Sequence, residues 1–243
     1  MYPETQISKQ KITDLAKLKQ KKYRQEFRLV VVEGQRLIQQ LLTYDIKPAE
    51  LYFVERPLIE VAGLASYELS PYQMQRICES EHPADLAGLF RLPQERRQEY
   101  KRALYLDRIS DPGNLGTIFR TAAAFGIDGI LLSEDCCEIA SPKVIRASLG
   151  AVYKVPFRYV NLEDLSAEKA RLIAFDMSGA ISLAMHKPSQ EAEIYILGSE
   201  AHGIDPVLLK KADISLRIDM KEGMESLNVA ISAAILCYQL SLG

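Results

Sequence analysis

"DPGNLGTIFRTAAAFGIDGILL", Asp111 to Leu132, follows the apolar run "ALYLDRI" (Ala103 to Ile109) and itself ends in another, "GILLSE" from Gly129. A strand, a glycine-bearing turn, a helix and a second strand in that order open a parallel α/β unit. Pro112-Gly113 makes the turn, Asn114 is placed to cap the helix, and Arg120 lies about two turns into it. Such a turn could also cradle a phosphate. A dinucleotide site needs G-x-G-x-x-G and an acidic residue about twenty positions on, whereas this turn has only Gly113 and Gly116. No Gly-Lys-Ser/Thr follows, so a P-loop is excluded as well. The turn therefore presents side chains for some other chemistry.

Outward from this stretch, apolar strands and helices alternate to the end of the chain. "GILLSE", "VPFRYV", "RLIAFDM", "EIYILGSE" and "ISLRIDM" read as strands, "SPKVIRASLGA" and "DPVLLKKA" as helices, and "SLNVAISAAILCYQLSL" as a long helix apolar nearly all round. Strands this apolar indicate a mostly parallel sheet covered on both faces. Upstream, "RLVVVEG", "PAELYFVE" and a segment near Tyr67 read as strands, with helices at "QRLIQQLLTY" and "PYQMQRICES". "RLPQERRQEYKR", residues 91–102, is polar and aperiodic. The expected organisation is thus a small α/β domain over 1–90, a linker over 91–102 and a larger α/β domain over 103–243.

With 243 residues, 48% hydrophobic and 26% charged, the chain can bury a substantial core. No stretch is apolar enough to span a membrane and no leader is recognisable, so a cytoplasmic protein is expected. Cys78, Cys136, Cys137 and Cys237 lack CxxC spacing, and His82, His186 and His202 are scattered, so no metal site is expected. Cys136-Cys137 reads as a pair of packing thiols rather than a redox pair. Charge is unevenly placed: Lys9 to Arg36 holds nine basic and three acidic residues, a balance of +6 in a chain of net −2. That segment, with Lys19, Lys21, Lys22, Arg24 and Arg36, is a candidate footprint for nucleic acid.

Three ordered pieces, "NLGTIFRTAAAFG" (114–126), "LGSEAHGI" (197–204) and "IDMKEGMESLNVAISAAI" (218–235), resemble the three motifs of the SpoU (TrmH-like) family of RNA 2′-O-ribose methyltransferases, of the SPOUT class. "SPKVIRASLGAVYKVPF" (141–157) is similar to the family's text between its first two motifs, and residues 8–90 resemble, more loosely, the small RNA-binding domain that many members carry in front. The resemblance implies that the C-terminal stretch, about Tyr195 to Tyr238, threads a loop to form a deep trefoil knot; pattern alone predicts only an open sheet. It also implies methyl transfer from S-adenosyl-L-methionine to a ribose 2′-hydroxyl of structured RNA, ribosomal rather than transfer RNA by analogy of domain arrangement.

Matched motif to motif, Asn114, Arg120, Glu200, Ser226 and Asn228 stand at the family's catalytic positions. The family casts the arginine as activator of the hydroxyl; a guanidinium with a pKa above about 12 is better suited to orient it and clamp a phosphate. Gly198, Ile218, Met220 and Leu227 match the cofactor-enclosing positions, with Phe175 to Met177 as a further wall. The family has proline where this chain has Asp219, which frees an N–H and brings a charge beside the expected adenine site. His202 has no partner visible in the sequence and is not assigned as a base. The resemblance further implies a homodimer through the last helix, whose all-round apolarity demands cover. The alternative is a protein of this fold that binds RNA or ribosomes without methylating; a nicotinamide-dependent oxidoreductase lacks its glycine fingerprint.

Overall fold

The computed structural model describes residues 7–55, 63–199, 201–221, 223 and 226–242. The chain divides into two compact units, Met1–Pro93 with Glu138–Tyr153, and Gln94–Cys137 with Lys154–Gly243.

In the first unit, α1 (Lys9–Lys17) and α2 (Lys21–Phe27) precede β1 (Leu29–Glu33), α3 (Gln35–Thr43), β2 (Glu50–Phe53), β3 (Ala65–Glu68), α4 (Pro71–Ile77) and β4 (Leu86–Arg91). Ser8 caps α1 by accepting the Lys11 N–H at 3.1 Å, and Ser70 with Gln73 forms a reciprocal capping box on α4, where Pro71 at the first position needs no donor. The sheet runs β1-β4-β2-β3, with β4 antiparallel to both neighbours and β2 parallel to β3. Ile12, Leu15, Leu18, Tyr52 and Met74 are buried together as its core. Residues 138–153, from much later in the sequence, complete this unit. There α6 (Pro142–Ala147), capped by Ser141, packs against β1 with Val144 and Ile145 fully buried. The expected division at 91–102 therefore leaves this segment on the far side of the boundary, although its apolar face belongs to the first unit.

The second unit comprises β5 (Arg102–Leu106), α5 (Pro112–Phe125), β6 (Gly129–Leu132), β7 (Phe157–Tyr159), α8 (Leu162–Ser166), β8 (Arg171–Phe175), β9 (Ile181–Ser182), β10 (Glu193–Leu197), α9 (Pro206–Lys211), β11 (Ile214–Arg217) and α10 (Val229–Ser241); a short helix, α7 (Ala151–Lys154), joins it to the preceding segment. Its seven strands lie in the order β7-β6-β5-β10-β8-β11-β9, and every pairing is parallel, as the apolar strands predict. Residues of the polar 91–102 segment are tied to this sheet's edge: the Arg96 N–H donates to the Phe157 carbonyl at 3.0 Å, and Glu95 accepts the Tyr159 N–H at 3.2 Å.

One local expectation is corrected. The N-cap of α5 is Asp111, not Asn114: its carboxylate accepts the Asn114 N–H at 2.8 Å, and Pro112 takes the first helical position. Proline suits that position because its missing N–H has no partner there anyway, which moves the helix start upstream and frees the Asn114 side chain from capping.

Two glycines mark close approaches of backbone. A Cβ on Gly198 would sit 2.1 Å from the Gly203 carbonyl carbon, and one on Gly179 would sit 2.3 Å from that of Leu216. At Gly179 the loop after β8 passes directly over the backbone of β11, whereas at Gly198 the turn after β10 folds tightly back on itself at Gly203; a larger residue would push the backbone apart at either place.

Candidate active site and cofactor cavity

The carboxyl ends of β8, β10 and β11 are where an open parallel sheet leaves a crevice. The loops leaving those strands enclose a cavity of about 410 Å³ together with the residues that lead into α10. Gly198, Ile218, Met220 and Leu227, the four positions expected to hold a cofactor, all line it, as do Phe175, Asp176 and Met177. Ser226, expected on the catalytic side, lines it too. The volume suits a small organic cofactor. Leu197, Ile204, Ile218 and Leu227 give apolar walls for a flat ring, and Gly198, whose missing side chain makes room for the Gly203–Ile204 backbone, lines the cavity beside them.

Asp219 departs from expectation. Ile218 and Met220 line the cavity, while the residue between them turns its carboxylate to the Ser182 hydroxyl and to Arg217 Nε, the latter at 3.0 Å. Alternation along extended backbone accounts for this, since neighbouring side chains point to opposite sides. The added charge is thus outside the cavity.

The first and third motifs meet directly. Asn228 is the N-cap of α10, its Oδ1 accepting the N–H groups of Ala230 at 2.9 Å and Ile231 at 3.3 Å. Its Nδ2 donates to Asn114 Oδ1 at 3.1 Å, across 114 residues of sequence. Arg120 stands on the exposed side of α5; the helix buries Ile118, Phe119 and Ala122, sets Phe119 edge-on to Phe157 of β7, and packs on α10, where Phe125 meets Tyr238. Glu200 lies outside the described residues. His202 is exposed in the turn that follows, its backbone N–H donating to the Ser199 hydroxyl at 3.3 Å.

Sequence reasoning missed Asp107 and Arg108. Asp107 is 3% exposed at the carboxyl end of β5 and accepts the Asp205 N–H at 2.8 Å and Arg108 Nη2 at 2.9 Å. It thereby ties the loop before α5 to the turn that begins α9. The hydrogen bond to Asp107, and then its charge, hold the Arg108 guanidinium more firmly protonated than usual. A carboxylate directly after an apolar strand, in "LYLD", was the available signal.

The basic residues do not all face solvent. Lys19, Lys21, Lys22 and Arg36 are exposed, with Lys19 Nζ resting on the Gln75 carbonyl at 3.0 Å. Arg24 is 4% exposed: its guanidinium donates to the Leu18 and Lys19 carbonyls at 2.9 and 2.7 Å and pairs with Glu138. Arg24 is therefore removed from the RNA-facing set, because its donors are spent inside the first unit. Burial pushes the thiols of Cys78 and Cys237 up to about 12 and raises Cys136 as well, in keeping with a packing role. Among the described residues, no group of three or more His, Cys, Asp or Glu side chains is placed to hold a metal ion, and no helix is long and apolar enough to cross a membrane.

A parallel α/β sheet with a cofactor-sized cavity at its strand ends, and polar side chains from two distant motifs joined beside it, defines a group-transfer enzyme. Residues 101–238 match the SpoU rRNA Methylase family and residues 9–88 the MRM3-like substrate binding domain; the chain belongs to the SpoU rRNA methylase family. It is 31% identical to the 23S rRNA (guanosine(2553)-2′-O)-methyltransferase RlmP of Bacillus subtilis (strain 168) over 238 residues, 95% of this chain and 96% of that one. Among solved structures, an RNA 2′-O ribose methyltransferase superposes with a TM-score of 0.82 at 27% identity, covering 98% of this chain and 97% of that one. An AdoMet-bound rRNA methyltransferase from Sinorhizobium meliloti gives 0.81 at 27% identity, with the same coverage.

Proposed function

We propose that the protein methylates a ribose 2′-hydroxyl of ribosomal RNA with S-adenosyl-L-methionine, in the cytoplasm. The observation that carries this reading is the Asn114–Asn228 hydrogen bond: Asn228 follows directly on Ser226 and Leu227 of the cavity wall, so catalytic and cofactor-binding positions fall in one place. Bound in the cavity, the cofactor would supply a sulfonium methyl, an activated electrophile; the chain has to align the ribose oxygen with it and let the hydroxyl proton leave to solvent as the O–C bond forms and the S–C bond breaks, releasing the thioether.

The chain's residues supply the alignment. The Gly198 backbone and the apolar walls of Ile218, Met220 and Leu227 hold the nucleoside end. Asn114, fixed by Asn228, and Ser226 offer polar groups toward the acceptor ribose. Arg120 orients the hydroxyl with its guanidinium donors and clamps the adjoining phosphate, and Glu200 belongs to the same catalytic set. Lys19, Lys21, Lys22 and Arg36 bind RNA phosphates, which set register while an unstacked nucleotide enters the site.

The remaining elements of the reading concern assembly. The close crossing of Gly179 over the Leu216 backbone, from a later strand, supports the trefoil knot that the family implies. On α10, Ile231, Ile235, Tyr238 and Leu242 form one exposed apolar stripe at helical spacing, which supports a homodimer through this helix. The non-catalytic alternative rested on a charge at the cofactor site, and Asp219 turns that charge away.

Calorimetric titration of the purified protein with S-adenosyl-L-methionine, with NAD as the control, tests the reading. Binding of the first alone is expected, followed by loss of one ribose methylation in ribosomal RNA from cells lacking the protein. A folded protein that binds neither overturns it.

A further inference from the structure

Two segments contribute wall to the cavity: residues 175–178 at the end of β8 and just beyond it, and Ile218 and Met220 after β11. They are laced together outside it. Arg217 Nη1 donates to the Gly179 carbonyl at 2.8 Å and the Ala180 carbonyl at 3.1 Å, while Arg217 Nε donates to Asp219 Oδ1. The Ser182 hydroxyl donates to the other carboxylate oxygen, and β9 pairs with β11 through Ile181–Leu216 and Ser182–Arg217. The Asp176 N–H also reaches the Leu216 carbonyl at 2.9 Å. Through its two oxygens Asp219 thus joins the segment that follows one wall to the strand that precedes the other.

We infer that Asp219, held by Ser182 and Arg217, is a positioning residue for the cofactor, locking the two cavity walls at the spacing that binding requires. The inference rests on the cofactor reading above and assigns this chain's departure from the family pattern a purpose. Proline at this position limits the loop by fixing φ; here a side-chain bridge does so instead. The Ser182 hydrogen bond first, and the Arg217 charge after it, hold the Asp219 carboxyl below its ordinary range, so the bridge stays charged throughout the neutral pH range. Because more than half of the Asp219 side chain is exposed, the bridge is open to screening by salt. Without it the walls sample wider spacings, and apparent affinity falls in proportion to the fraction of molecules still competent to bind.

The experiment is calorimetric titration with S-adenosyl-L-methionine of the wild type and of Asp219→Ala, Ser182→Ala, the double variant and Asp219→Pro, each at low and high salt. Asp219→Ala and Ser182→Ala are each expected to weaken binding by about 3- to 10-fold, with the double variant no worse than the weaker single. Asp219→Pro should recover most of the loss, and the wild type should lose affinity with salt while Asp219→Ala does not. A merely structural side chain would give neither the rescue nor the salt signature. Wild-type binding with Asp219→Ala within about twofold of it overturns the bridge and leaves the methyltransferase reading intact. Failure of the folded wild type to bind overturns both.

Discussion

At the scale of single residues, Asn228 uses its two side-chain atoms for separate tasks, Oδ1 for the free N–H groups that open α10 and Nδ2 for Asn114. Substitution separates them. Asn228→Asp keeps the cap and adds a charge that is favourable at a helix start but removes the donor, so methyl transfer should fall by about 10-fold or more while the melting temperature holds. Asn228→Ala removes both, and should also cost about 1 kcal/mol, or roughly 2–4 °C in melting temperature for a chain of this size. Arg120→Lys should lose about 100-fold in turnover with cofactor affinity unchanged, since an ammonium cannot hold a hydroxyl and a phosphate in one planar fork. Arg24→Ala belongs to a different class. Its partner Glu138 is 13% exposed, and leaving that carboxylate unpaired should destabilise the first unit by about 3 kcal/mol, seen as an earlier transition in thermal unfolding.

Among the elements, those with a strong period were legible in the sequence. The strands around "ALYLDRI" and "EIYILGSE" and the long C-terminal helix lie where their apolar runs put them. What escaped was set by few residues or by partners far away. β9 has two residues and no period to read, and α8 depends on the Asn161 cap more than on an apolar face. The helix start at Asp111 was misplaced because Asn114 and Asp111 both suit a cap, and only the proline decides between them. At the site, the four cavity positions were legible through the resemblance, whereas the direction of the Asp219 side chain required the three-dimensional path of the loop. The stripe on α10 gives an element-scale prediction: Ile235→Asp with Tyr238→Asp should shift the protein from dimer to monomer in light scattering at micromolar concentration. A wild type already monomeric there would overturn the proposed interface.

For the molecule as a whole, salt and pH are the informative variables. RNA affinity should fall steeply with salt, and reversing charge at Lys19, Lys21 and Lys22 should reduce the log–log slope by about 0.7 to 0.9 for each phosphate no longer neutralised. Against β10, His186 is 9% exposed with Nε2 3.0 Å from the Tyr195 hydroxyl, which in turn donates to the fully buried Glu193 at 2.7 Å. Burial, only partly offset by the Glu193 charge, holds His186 below its ordinary value of 6.5. Below that pH the unfolded chain takes up a proton that the folded one resists, so this contribution to stability is complete above 6.5 and is lost as pH falls toward the folded value. Melting temperature should therefore decline from pH 7 to pH 5.5, and His186→Gln should flatten the decline.

The return of residues 138–153 to the first unit has a consequence for biosynthesis. A chain emerges from its N-terminus at roughly 5–20 residues per second, so β1 waits several seconds after β4 is complete before α6 arrives to cover it. During that interval the nascent N-terminal region is an unfinished fold with an open apolar face, a natural client for a chaperone. An isolated fragment ending at Pro93 would be arrested permanently in that condition, prone to aggregate. A fragment with residues 138–153 joined on by a short linker should be soluble where the simpler one is not.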